Sequence, residues 1–74
     1  MKVLVFGGAG FIGRRVVRAM ALDGHEVVSC DVEATDHFNS HGIHAKELTV
    51  DISHYAAVLD AMQTHRPSTV INMA

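Results

Sequence analysis

The sequence predicts an α/β fold, one half of a doubly wound parallel sheet with its strands in the order 3-2-1-4. Three observations predict it. Short apolar runs alternate with segments of helical period. A glycine-rich turn, Gly7-Gly8-Ala9-Gly10-Phe11-Ile12-Gly13, follows the first apolar run directly. The second and third strand-like runs each close on an acid, Asp31 and Asp51.

Val3-Leu4-Val5-Phe6 is an apolar run of strand length, as a strand covered on both faces requires. A helix follows the glycines, with Ile12, Val16, Val17 and Met20 on one face and Arg14, Arg15 and Arg18 on another. Gly24 suits its C-terminal cap. Glu26 to Asp31 is the second strand. Residues 33–45 are polar without a clear period and predict a loop with room for one helical turn. Phe38 anchors that loop to the body, or alternatively packs beside a ligand. Ala45 to Ile52 is a third strand ending in Asp51, and Ser53 is placed to cap a helix from about His54 to His65. Tyr55, Val58, Leu59 and Met62 form that helix's apolar stripe, and Pro67 stops it. Ser68 to Ala74 reads as a fourth, buried strand. The connections predict right-handed crossovers between parallel strands.

A strand running through glycines into a helix makes a phosphate-binding corner. The turn needs a residue that tolerates positive φ. Backbone N–H groups must approach a pyrophosphate without an intervening Cβ, and the helix must pack closely on the strand. The open N–H groups and positive dipole end of the helix then face the anion. Two registers fit: Gly8, Gly10 and Gly13 as G-x-G-x-x-G, or Gly7, Gly10 and Gly13 as G-x-x-G-x-x-G. Asp31 lies about 18 residues beyond Gly13, close to the ~20 expected of the acid that holds an adenosine ribose. A carboxylate there accepts both ribose hydroxyls and repels a 2′-phosphate, which favours NAD over NADP. The bland alternative is a plain βαβ unit with a glycine turn. A triphosphate loop is disfavoured, because Arg14-Arg15 and not Lys-Ser/Thr follows Gly13.

Composition narrows the field further. Seventy-four residues make one small domain at most, and 49% hydrophobic content with 5% aromatics implies an aliphatic core. A net charge of −2 is unlike a nucleic-acid binder. Arg14, Arg15 and Arg18 are the one basic cluster, read as a solvated helix face with phosphate or substrate contact as the alternative. No apolar stretch approaches the ~20 residues of a membrane span, and the N-terminal residues do not read as a leader. Cys30 is the single cysteine, expected as a small core residue. A lone thiol fits a cytoplasmic location. His37, His41 and His44 lack a completing carboxylate or thiol, so no metal site is expected.

The run Lys2 to Gly13, together with Asp31, Asp51-Ile52 and Val70-Ile71-Asn72-Met73-Ala74, resembles the extended short-chain dehydrogenases, the NAD-dependent epimerase/dehydratase family. The resemblance covers the whole chain and implies a Rossmann-type sheet with NAD as cofactor. It implies that Gly7, Gly10 and Gly13 form the turn and that Phe11 and Ile12 offer N–H groups to the pyrophosphate. Asp31 would hold the ribose, Asp51 and Ile52 the adenine, and Met73 and Ala74 would border the middle of the cofactor. Phe6 departs from the Thr common before the glycines. The family's chemistry uses a Tyr-x-x-x-Lys pair, whereas the single tyrosine here, Tyr55, is followed four residues on by Leu59. The expectation is therefore the N-terminal NAD-binding part of an oxidoreductase acting on a nucleotide-sugar-like substrate, with no catalytic residue of its own. The alternative is a small non-enzymatic dinucleotide-binding or redox-sensing module, with completion by a homodimer open to either.

Overall fold

The computed structural model describes residues 1–33 and 37–74. Its elements are β1 (Lys2–Phe6), α1 (Phe11–Leu22), β2 (Glu26–Asp31), α2 (His37–Ser40), β3 (Lys46–Thr49), α3 (Tyr55–His65) and β4 (Thr69–Asn72). The strands form one parallel sheet in the order β3-β2-β1-β4. Leu4 lies opposite Val28 on one side and Val70 on the other, and Cys30 lies opposite Leu48. The predicted fold class and strand order therefore hold.

Because side chains alternate along a strand, β1 serves two cores. Val3 and Val5 join Val17, Val27, Phe38, Ile43 and Ala45 under α1 and α2. Leu4 and Phe6 join Val28, Cys30, Val50 and Ala61 under α3. Val3, Leu4 and Val5 are wholly buried, and each such side chain contributes about 1.5–3 kcal/mol relative to exposure. Phe38, 1% exposed, anchors the 33–45 segment from the single turn of α2. The parts of that segment at 34–36 lie outside the described residues.

The helix ends follow backbone chemistry. At the close of α1, Gly24 takes φ +91; its N–H donates to Ala21 O, and that of His25 to Met20 O. Those two bonds satisfy carbonyls the helix would otherwise leave open. At the close of α3, Arg66 adopts a left-handed conformation, φ 46, and its N–H donates to Met62 O. Pro67 follows at once and prevents the helix from continuing.

Five expectations need correction. Ile12 is exposed and leaves the core face of α1 to Gly13 and Val17, with Met20 and Ala21 partly buried against it. The third strand is shorter than 45–52, because Val50 to Ser53 already turn towards α3. Ser53 does not cap α3: the N-cap is His54 without a side-chain bond, and the Ser53 hydroxyl donates to Asp51 instead. Tyr55 is 78% exposed; α3 presents Ala57, Val58 and Ala61 to the sheet, so the small residues set the packed face. β4 is not buried. It is an edge strand with alternating exposure, and Val70 is open on the α3 side.

Candidate functional site

The site begins where β1 ends. The N–H groups of Gly7 and Gly8 both donate to the Cys30 carbonyl, at 2.8 and 3.3 Å, and tie the turn to the end of β2. Gly10 N–H then donates to Gly7 O at 3.2 Å, closing the corner before α1 starts. Gly7 holds φ +79, and a Cβ there would lie 2.8 Å from the backbone between Met73 and Ala74. At Gly8 a Cβ would strike the Ser29 side chain, and at Gly13 it would strike the Gly7 carbonyl oxygen. All three glycines are thus required by the chain's own packing, which makes the two sequence registers compatible rather than rival.

Gly10 differs. It is exposed, its φ is an ordinary −71°, and a Cβ would meet only Gly7 O at a comfortable 3.4 Å. It is also the N-cap of α1, with no side-chain cap bond. Serine, asparagine or aspartate there would cap the helix better than glycine by roughly a few tenths of a kcal/mol. Nothing within the described residues demands glycine. Its missing side chain keeps the approach to the first-turn N–H groups of Phe11, Ile12 and Gly13 open, and helix geometry leaves those donors without intrahelical partners. A cradle of this kind suits an anion.

Asp31 lies at the end of β2 beside this corner. One carboxylate oxygen accepts from Ala9 N–H at 3.0 Å and the other from Val32 N–H at 2.8 Å. The acid predicted to bind a ligand therefore also holds the glycine turn in place. A crevice opens here at the carboxyl ends of the strands, where parallel sheets gather their ligands. Gly7, Asp31, Ile52 and Ala74 border it, as do Phe6, Cys30, Val32 and Val50. Val32 and Val50 were not singled out by sequence; each simply neighbours an acid that was.

The remaining expected residues lie around the crevice without lining it. Asp51 Oδ1 accepts from both the N–H and the hydroxyl of Ser53, at 2.9 and 2.7 Å. Those bonds, hydroxyl first, hold the Asp51 carboxyl below its ordinary value despite its exposure. Met73 N–H donates to Phe6 O, bringing the end of β4 against the glycine turn, while Ala74 N–H donates to the Asn72 side chain. Cys30 is buried, and burial, reinforced by the Asp31 charge, pushes its thiol up to about 11. It is protonated and unreactive at neutral pH. Tyr55 sits in the first turn of α3, with Leu59 one turn on.

Elsewhere, a depression of about 420 Å³ lies at the opposite, amino-terminal end of the strands. Lys2, Glu26, Lys46 and His65 border it, and this mixture of signs does not converge on one ligand chemistry. The His37 and His41 rings stack with centroids 4.4 Å apart. Among the described residues no group of three or more His, Cys, Asp or Glu is placed to hold a metal ion. No helix there is long and apolar enough to cross a membrane.

Comparison with known proteins agrees with the fold. The chain is 34% identical over 74 residues to a UDP-glucose 4-epimerase of Lactobacillus helveticus, covering all of this chain and 22% of that protein. Its fold matches the UDP-glucose-4-epimerase of Stenotrophomonas maltophila, solved with NAD and formylated UDP-arabinopyranose, with a TM-score of 0.87 and 28% identity. It also matches the UDP-glucose 4-epimerase of Thermotoga maritima, solved with UDP-glucose, with a TM-score of 0.84 and 30% identity. The dTDP-glucose 4,6-dehydratase of Bacillus anthracis, solved with NAD, shares the fold with a TM-score of 0.82 at 20% identity. Each structural match covers the whole of this chain, which spans only 24–26% of those structures. The family model for NAD dependent epimerases and dehydratases matches residues 3–74. With its glycine corner, its acid at the end of β2 and its 3-2-1-4 sheet, the chain belongs to the NAD dependent epimerase/dehydratase family.

Proposed function

We propose that these residues form the NAD-binding part of an oxidoreductase acting on a nucleotide-sugar-like substrate, and that the hydride and proton steps on that substrate use groups outside them. The observation that carries the reading is Gly10, a glycine the chain's own packing does not need, at an uncapped helix start beside the crevice. Gly7 and Gly13 hold the turn, and the Phe11 and Ile12 N–H groups face the pyrophosphate. Each Asp31 oxygen accepts one backbone N–H and keeps a lone pair for a ribose hydroxyl. Asp51 directs its second oxygen, and Ile52 its apolar side chain, to the adenine; Met73 and Ala74 border the cofactor's middle. NAD, when bound, supplies the hydride acceptor and, once reduced, the hydride donor. The sequence holds no Tyr-x-x-x-Lys pair, so these residues bind and orient but are expected to show no turnover by themselves.

Calorimetric titration tests the reading. NAD is expected to bind more tightly than NADP. Gly10→Val is expected to weaken NAD by at least about tenfold while lowering the melting temperature less than Gly13→Ala does, since only a poorer helix cap is introduced. Gly13→Ala is expected to lower the melting temperature itself, because its Cβ meets a backbone oxygen. Tighter NADP binding, or unchanged NAD affinity in Gly10→Val, removes the assignment.

A second reading, a non-enzymatic dinucleotide-binding module completed by a second copy, draws support from the open edge of β4. Val70 is 42% exposed there and Met73 38%. Strand edges of this kind invite pairing. Sedimentation equilibrium is expected to show a concentration-dependent dimer if that reading holds. A monomer that melts cooperatively eliminates it.

A further inference from the structure

The arginines of α1 are not spread over open solvent. Arg14, Arg15 and Arg18 form one wall of a groove of about 320 Å³, at the small end of the roughly 300–1,000 Å³ of ligand pockets. His37 of α2 and His41 just after it stand on the other side, with Phe38 also lining the groove. The groove shares no lining residue with the crevice at the strand ends.

Its charge is concentrated, and no acid stands among its described lining residues. Three of the six basic residues in a chain of net charge −2 fall within five positions. α1 contains no acidic residue, and among the described residues none of the three arginines pairs with a carboxylate. Arg15 lies over the Phe11 ring, 4.0 Å from its centroid, and donates to the Phe11 carbonyl at 3.2 Å. Both partners are neutral, so the guanidinium is ordered but keeps its full charge. The placement works against helix stability. Arg14 and Arg15 stand near the positive end of the α1 dipole, and Arg14 and Arg18 are like charges one turn apart. An ordinary solvated face would interleave acids; this one does not.

On the facing wall, His41 Nδ1 lies 2.7 Å from the His37 carbonyl oxygen. A carbonyl there takes a donor, so Nδ1 carries the hydrogen; Nε2 faces a ligand as an acceptor in the neutral ring and donates to an anion only when the ring is protonated. The arrangement suits an anion with several oxygens and more than one negative charge. A carboxylate brings one charge and two oxygens, which a single guanidinium satisfies. A phosphate monoester brings close to two charges and three oxygens, matched to several planar forks.

We propose that the groove between α1 and α2 binds a phosphate group as a dianion, at a site separate from the glycine corner. The phosphate has two possible sources, a free phosphorylated small molecule or a phosphate carried on the cofactor's ribose, and one experiment separates them. The imidazole resonances of His37 and His41 are followed by NMR at constant pH and ionic strength, with inorganic phosphate, phenyl phosphate, NAD and NADP as probes and chloride as control. Saturable shifts with the phosphates and not with chloride are expected, weakened at least about tenfold in Arg18→Gln and in Arg14→Gln, both folded by circular dichroism. Shifts that chloride reproduces, shifts unchanged in both variants, or no saturable shift with any phosphate probe overturn the site. A response to inorganic phosphate that survives Gly10→Val identifies a free ligand. A response to NADP alone, absent with NAD and lost in Gly10→Val, identifies the cofactor-borne phosphate. Failure of the NAD reading has its own signature: the Phe11 and Ile12 amides stay still on adding NAD, whatever the groove does.

Discussion

The two central strands of the sheet and the pair formed by α3 and the edge strand β4 are built differently. Every residue of β1 from Val3 to Phe6 is buried, and β2 is buried from Val27 to Cys30. On the other side, α3 buries only Ala61, and β4 alternates between half-buried and exposed. The cause is position: a central parallel strand has neighbours on both edges and helices on both faces, whereas β4 has one neighbour and an open edge. The glycine corner grows from the well-packed part. Cys30 O receives two of its N–H groups, and Ser29 and Val17 press against Gly8. The glycine corner is thus attached to the most deeply buried part of the sheet.

That contrast can be broken by truncation. Leu4→Ala is expected to cost about 2–5 kcal/mol, since it leaves a cavity between β1 and α3. Tyr55→Ala, at an exposed position of α3, is expected to stay within about 0.5 kcal/mol. Chemical denaturation of both variants measures this, and similar costs would mean that the two regions are equally packed.

A smaller effect is expected at alkaline pH, on the buried side. The Cys30 thiol is raised in the folded chain, so the native state retains a proton that the unfolded chain releases. Its contribution is complete below about pH 9 and declines as pH rises towards about 11. Cys30→Ala is expected to flatten that decline, and a thiol reagent is expected to label native Cys30 no faster than the chain unfolds. Rapid labelling of the native protein at neutral pH would place Cys30 outside the core.

The smallest effect lies in the open region. The Asp51 carboxyl is lowered by its bonds from Ser53, so its contribution is present above the ordinary carboxylate value of about 4. It fades as pH falls through the lowered folded value. Ser53→Ala is expected to reduce the acid sensitivity of the melting temperature slightly, with no change at pH 7 to 9 beyond the loss of the turn's hydrogen bonds. An unchanged acid limb would show that the Ser53 bonds do not act on Asp51 in solution.

Much of the candidate site was legible along the chain as a local arrangement of strand, turn and helix, because those parts are close in sequence. Strand, glycines, helix and Asp31 fall within the first 31 residues, and each has a sequence signature tied to backbone chemistry. The packing of α3 was harder to read. Its larger side chains on the helical stripe include Tyr55, Leu59 and Met62, and their size draws attention away from the alanines that the sheet admits. Ser53 was placed as a cap by residue type, yet Asp51 two residues earlier is the closer acceptor for its hydroxyl, and a local turn wins over the helix end. The arginine groove was invisible for a different reason: its two walls come from α1 and α2, far apart in sequence and joined only by folding.

By itself the sequence determined the alternation of strands and helices, their order in the sheet, and a glycine corner followed by an acid at the end of the second strand. Periodicity and turn chemistry suffice for the elements and the corner, because these depend on neighbours a few residues apart, and the crossover rule for parallel strands suffices for their order. Only the tertiary structure separated the glycines demanded by internal packing from Gly10, which is not, and only it decided which faces of α3 and β4 are covered. Those outcomes depend on which atoms meet across the sheet, and a Cβ at Gly13 is forbidden by a carbonyl six residues away that only the closed turn brings within reach.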